Sequence, residues 1–203
     1  MRTPWFCLGA FAAVAIAPPG SAADAPPAER PAPKVGDVLE YTKRFVTIDC
    51  KRWEVKDVNR DGYTISQCGD NLAYIDTGTG TMVRIVGQGG ASLIEFKPRS
   101  PTLAFPLQIG KKWEGDYEGY RASAGVHWKS HVTCEVKSFE PVKVVAGEFD
   151  AYRIQCAEAW ESTPFHGFSD SVSWYAPKLG TVVKSTNSSQ GDFDFELARY
   201  GAK

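Results

Sequence analysis

The stretch Val126-His127-Trp128-Lys129-Ser130-His131-Val132-Thr133-Cys134-Glu135-Val136 decides the fold. Val126, Trp128, Val132, Cys134 and Val136 fall on one side of an extended chain, with His127, Lys129, His131, Thr133 and Glu135 on the other. A two-residue period of this kind is a half-buried strand, because successive side chains of an extended backbone point to opposite faces. The same reading settles the histidines. On a helix His127 and His131 would share one metal ion, but on a strand four residues span about 13 Å, far beyond the reach of a shared zinc.

Working outward, the same period recurs. Leu39, Tyr41 and Phe45 alternate with Glu40, Thr42 and Arg44; Trp53 and Val55 with Arg52, Glu54 and Lys56; Tyr63 and Ile65 with Thr64 and Ser66. Glycine-containing turn signals punctuate these runs at Asn59 to Gly62, Thr77 to Gly80, Gly87 to Gly90, Gly115-Asp116, Ala146 to Glu148 and Lys178 to Gly180. Short alternating strands with regular turns predict an all-β, antiparallel, curved sheet forming a sandwich or a partly open barrel, with little helix. A short helical turn over Ala91 to Phe96 is the one exception expected. One domain over residues 35–203 follows, with 35–97 and 105–200 as candidate related halves joined through Pro98 to Pro106.

The N-terminal 1–23 reads as a secretory signal peptide: Arg2, an apolar run from Trp5 to Ala17, and small residues at Ser21-Ala22-Ala23. That run is shorter than the roughly 20 residues a membrane helix needs. Residues 24–34, DAPPAERPAPK, are rich in proline and lack aromatic and β-branched side chains, the composition of a disordered spacer. Cys7 leaves with the leader, so the other four of the five cysteines remain, an even count suited to an oxidising compartment. A bridge between neighbouring strands needs both sulfurs on the same side. Cys50 shares parity with Arg52 and Glu54, and Cys68 with Thr64 and Ser66, all polar. Cys134 goes with Val132 and Val136, and Cys156 with Tyr152 and Ile154, all apolar. Parity therefore pairs Cys50 with Cys68 and Cys134 with Cys156.

The chain carries 23 basic and 24 acidic residues, a near-neutral balance that points to neither nucleic acid nor an anionic membrane as partner. The candidate chemistry is thin. Asp57, Asn59, Asp61 and Gly62 imitate the first half of a calcium loop, but its twelfth position is Cys68 instead of a bidentate glutamate, and an Asn/Asp/Gly hairpin turn explains the same residues. His166 sits in a loop apart from the other two histidines. Asp192, Asp194 and Glu196 alternate with Phe193, Phe195 and Leu197; carboxylates two apart on a strand stand roughly 7 Å from each other, but a charged solvent face on an edge strand gives the same pattern. No Gly-x-Ser-x-Gly elbow, phosphate loop or His-Glu-x-x-His occurs. The expectation is no catalytic residue, no metal and no cofactor.

Two stretches are more specific than strand pattern. Ala146-Gly147-Glu148-Phe149-Asp150-Ala151 enters one strand, and Trp174-Tyr175-Ala176-Pro177-Lys178-Leu179-Gly180-Thr181-Val182 forms a hairpin. With Gly110-Lys111-Lys112-Trp113 before them, residues 105–200 resemble a broad group of exported bacterial β-proteins of unknown function. That resemblance implies an envelope location, periplasmic or extracellular, and a curved sheet akin to the open barrels of periplasmic lipoprotein carriers. It carries over no catalytic residue. The expected role is that of a non-catalytic, soluble envelope protein, not integral to the membrane. Its partner would be an apolar or amphipathic small molecule, a lipid or an envelope protein, with Trp113, Trp128, Trp174 and Tyr175 as candidate contacts. The alternatives are an assembly module using an exposed strand edge, or a carboxylate-based hydrolase of envelope polymer built on Asp192, Asp194 and Glu196.

Overall fold

The computed structural model describes residues 25–43, 48, 50–188 and 194–202. The leader at 1–23, and with it Cys7, lies outside the described residues, as do Asp24, Arg44, Phe45, Asp192 and Phe193. Twelve strands follow one another: β1 (Asp37–Tyr41), β2 (Arg52–Arg60), β3 (Tyr63–Cys68), β4 (Asn71–Asp76), β5 (Met82–Val86), β6 (Ser92–Lys97), β7 (Lys112–Arg121), β8 (Val126–Val144), β9 (Gly147–Ser162), β10 (Phe165–Ala176), β11 (Thr181–Asn187) and β12 (Phe195–Ala202). Each pairs antiparallel with the next, and β1 pairs with β12, so the sheet closes into a barrel. Closure removes the free edges that an open sheet exposes.

The stretch 126–136 is the first half of the longest strand, and its inner side is the apolar one: Val132, Cys134 and Val136 are buried, and His127 and His131 face outward. His131 Nδ1 meets Asp116 Oδ1 at 2.8 Å, and His127 stacks on Tyr120. Both disulfides form with the expected pairing. Cys134 and Cys156 stand directly opposite each other on β8 and β9.

Four expectations need correcting. Ala91 to Phe96 is not helical: Ser92–Lys97 is β6, buried through Ile94 and Phe96 between β5 and β7, while the helical turn falls just before it at Gln88–Gly90. Gly115-Asp116 is not a turn but mid-β7, where a Cβ at Gly115 would come 3.1 Å from the Pro101 ring; the glycine admits a close neighbour. The polar side of β3 is not the solvent side. Thr64 and Ser66 are 2% and 6% exposed and face the lumen, in register with Val55, Ala73 and Ile75, and Cys50 precedes β2. Lastly, the strand carrying Glu196 is no edge: β12 pairs with β11 and with β1, Glu196 Oε1 lies 2.9 Å from Lys184 Nζ, and Asp194 Oδ1 accepts the Asn187 N–H.

The main core lies inside the barrel around Ile85, Ile94, Val136, Tyr152, Ile154 and their neighbours. A second, smaller cluster gathers Val142, Val144, Ala151, Ala176, Val183 and Leu197 where the β8–β9 turn reaches β12 and Ala146 N–H donates to Leu197 O. In an antiparallel meander successive connections alternate between the two ends. One end, the floor, carries the β2–β3, β4–β5, β6–β7, β8–β9 and β10–β11 connections and both termini of the barrel. The other, the mouth, carries the rest.

Candidate functional site

The floor is closed by two segments without strand structure. In the β6–β7 connection Leu107 is wholly buried, and Leu103, Phe105 and Ile109 join the core. Residues 25–34, with a spacer's composition, lie along the floor. Ala28 exchanges two backbone hydrogen bonds with Leu107, at 2.9 and 2.8 Å, and Tyr152 Oη donates to Pro26 O. Arg30 Nη1 donates to Thr77 O, in the β4–β5 turn. A Cβ at Gly80 would fall 2.6 Å from Arg30 Nε, and one at Gly180 2.8 Å from Pro31 Cγ. Those glycines sit in turns on opposite sides of the ring, β4–β5 and β10–β11, so two adjacent residues of the N-terminal run touch both walls. The prolines serve this crossing, since an extended run needs no sheet partner for its missing N–H groups.

Above the floor lies a cavity of about 870 Å³, lined by apolar side chains such as Val55, Ile75, Met82, Phe96 and Leu103 together with inward hydroxyls of Ser66, Ser171, Ser173 and Ser185. Three polar groups on its wall are buried and meet no hydrogen-bond partner among the described residues: Thr64 Oγ1, Tyr175 Oη and Trp160 Nε1. Such groups are rare in folded proteins, because each forfeits its hydration without compensation. Burial pushes the Tyr175 phenol up to about 12 against the pull of Arg30, and burial likewise lowers the Arg30 guanidinium below its ordinary value, opposed by Tyr175 and Asp76.

Toward the mouth the wall is built by β7 to β10. Trp128 and Trp160 each lie across a glycine on the neighbouring strand, Gly119 and Gly167, which stand directly opposite them in register. A Cβ at Gly119 would meet the Trp128 six-membered ring at 2.1 Å, and one at Gly167 the Trp160 ring at 2.7 Å. The indoles therefore take the space a side chain would need and lean along the wall. In the same stretch Glu158 Oε1 accepts hydrogen bonds from Tyr117 Oη and Ser130 Oγ, both at 2.5 Å, while Ser169 Oγ lies 3.5 Å from Oε2. Trp128 Nε1 reaches Tyr117 Oη at 3.5 Å. Burial and the neighbouring Glu158 charge together raise the Tyr117 phenol far above its ordinary value, fixing it as a donor.

Of the four expected contact residues, Trp128 and Tyr175 line the cavity. Trp113 packs against the core with Nε1 donating to Pro101 O. Trp174 belongs to the second cluster, its Nε1 donating to Glu140 Oε1 and its ring flanked by Arg153 and Lys184. Trp160 and Glu158 line the cavity as well, outside those four, and sequence reasoning missed Glu158. The signal was available: Glu158 shares parity with Tyr152, Ile154 and Cys156, so a carboxylate stands on the apolar side of its strand.

The outer wall carries ion pairs, among them Lys112–Glu135, Lys129–Glu118 and Lys184–Glu196. Asp57 to Arg60 end β2 and Asp61-Gly62 make the turn into β3, with positive φ at Asn59, Asp61 and Gly62. His166, expected in a loop, is instead in the first residues of β10 near the mouth, opposite Glu161.

No protein-family model matches the chain, and no curated protein does. Two solved structures share the fold. One is a "putative exported protein with YmcC-like fold" from Bacteroides fragilis, 14% identical, with a TM-score of 0.52, covering 86% of this chain and 99% of that one. The other is a "putative lipoprotein" from Parabacteroides distasonis, 12% identical, with a TM-score of 0.53, covering 87% of this chain and 100% of that one. The class is thus that of closed, all-β barrels with a YmcC-like fold. At these identities the likeness speaks for architecture alone.

Proposed function

We propose that this chain is a non-catalytic binding protein of an exported compartment that holds one small amphipathic molecule inside its barrel. The observation that carries the reading is the cavity of about 870 Å³ with a largely apolar wall and three buried polar groups lacking partners. Its volume falls in the range of small-molecule sites, about 300–1,000 Å³, and a ligand with a few polar atoms would satisfy what the wall leaves open. Location rests on the leader, the two disulfides and the descriptions of the two fold relatives. A charged exterior around an apolar interior is the reverse of a membrane-spanning barrel, which favours water on the outside.

Of the carboxylates in the hydrolase alternative, Glu196 is ion-paired with Lys184 and Asp194 accepts from the Asn187 N–H, while Asp192 lies outside the described residues. The assembly alternative rests on a free strand edge; the ring of strands closes, and the β8–β9 hairpin runs past the ladders of β7 and β10 on either side of it. Native mass spectrometry of the mature protein, purified from an oxidising compartment without detergent, tests the proposal. An excess mass lost on denaturation supports it. A bare polypeptide that also takes up no lipid extract defeats it.

A further inference from the structure

Resting on that reading, we infer that the head group of the ligand is a cation, an ammonium carried on an apolar body, held at Glu158 between the indoles of Trp128 and Trp160. The first observation is charge. Glu158 faces the cavity, and among the described residues no Lys, Arg or His nitrogen pairs with its carboxylate. Arg121 lines the same cavity but lies at the β7–β8 turn, opposite Val126, whereas Glu158 lies opposite Val132. Six strand residues separate those levels, roughly 20 Å.

The second observation is preorganisation. Tyr117 and Ser130 both donate to Oε1, which fixes the carboxylate in place before any ligand arrives. A neutral ligand without a donor hydrogen that covers this group strips its water and returns nothing, whereas a cation offsets that loss with a charge pair. The third is the aromatic surround. Trp160 is two residues along β9 on the same side as Glu158, and Trp128 is tied to it through Tyr117. Their rings are spread along the wall because Gly119 and Gly167 give way beneath them, and a π face attracts a cation within about 6 Å of its centre. A carboxylate and two indoles together select positive charge over the neutral or anionic forms of the same shape.

The test uses three ten-carbon probes below their micellar concentrations: decyltrimethylammonium, the neutral decyldimethylphosphine oxide and anionic decyl sulfate. Calorimetry and indole fluorescence are followed on the wild type and on E158Q, whose amide oxygen still accepts from Tyr117 and Ser130. The wild type should prefer the cation over the neutral probe by about tenfold or more, in line with a charged contact worth one decade. E158Q should lose that preference while still binding the neutral probe, which also proves that it is folded. Trp160→Leu should weaken the cation more than the neutral probe. Equal affinity for both in the wild type, or a preference that survives in E158Q, overturns the cationic assignment and leaves the binding function standing. Failure of all three probes to bind the wild type overturns both.

Discussion

The floor and the mouth of the barrel are built from opposite materials. The floor is irregular chain, residues 25–34 and the β6–β7 connection, locked by wholly buried Leu107 and by hydrogen bonds to Pro26 and Ala28. Toward the mouth the wall is regular strand, yet it holds inward glycines, a carboxylate and serines. The difference teaches that irregular backbone can be the structural part while regular sheet carries the chemistry, since strand register places Glu158, Ser130 and Trp160 side by side without any loop.

If the contrast holds, floor substitutions cost stability by loosening irregular chain, and mouth substitutions act through the indoles that the inward glycines accommodate. The largest effect is expected from Leu107→Ala, which empties a fully buried site and should destabilise by about 2–5 kcal/mol in urea unfolding. Starting the mature chain after Lys34 removes the two Ala28–Leu107 hydrogen bonds and the acceptor of Tyr152; at about 1 kcal/mol each, the loss should approach 3 kcal/mol. A deletion that leaves the midpoint unchanged would reduce the N-terminal run to a surface strap.

Gly119→Ala should cost about 1–3 kcal/mol and shift tryptophan emission, because the new Cβ collides with the Trp128 ring. Gly167→Ala, with more room, should do the same to Trp160 less severely. The smallest effect concerns Asp76 at the floor. Burial alone would raise its carboxyl, but the Thr79 hydroxyl and N–H, aided by Arg99 and Arg30, hold it below the ordinary value. A depressed carboxyl contributes stability above its unfolded pKa that is lost as pH falls through the folded one. Asp76→Asn should therefore be the less stable protein at pH 7, and the gap should close below about pH 4 as the wild-type carboxylate is protonated.

The strands were legible because period two is a local property of extended chain. Val126 to Val136 carries it across its inner side with Ser130 as the one polar member, and the Cys134–Cys156 pairing followed from the same parity. The Cys50–Cys68 bridge formed for another reason, since Glu54 pairs with Gln67 and so faces away from Cys68, while Cys50 lies before β2. The face assignment of Thr64 and Ser66 did not follow. Polarity marks solvent only when the other side is a dry core, and here the other side is a cavity wide enough to keep hydroxyls inside. Gly115 misled for a related reason: a glycine in a strand and a glycine in a turn look alike until the neighbour that needs the room, Pro101, is in place. Of the four residues expected at a ligand, Trp128 and Tyr175 reach the cavity. Trp113 and Trp174 do not, because strand position alone does not say which neighbour covers a ring.

By itself the sequence determined what short-range geometry controls: a disulfide-bridged, all-β chain with its turns mostly in place. Tertiary structure alone decided that β1 meets β12, that a proline-rich run closes the floor, and that Glu158 stands beside Trp160 and Ser130. Those contacts join residues far apart along the chain, and their free energy comes from burial that exists only once the ring has closed.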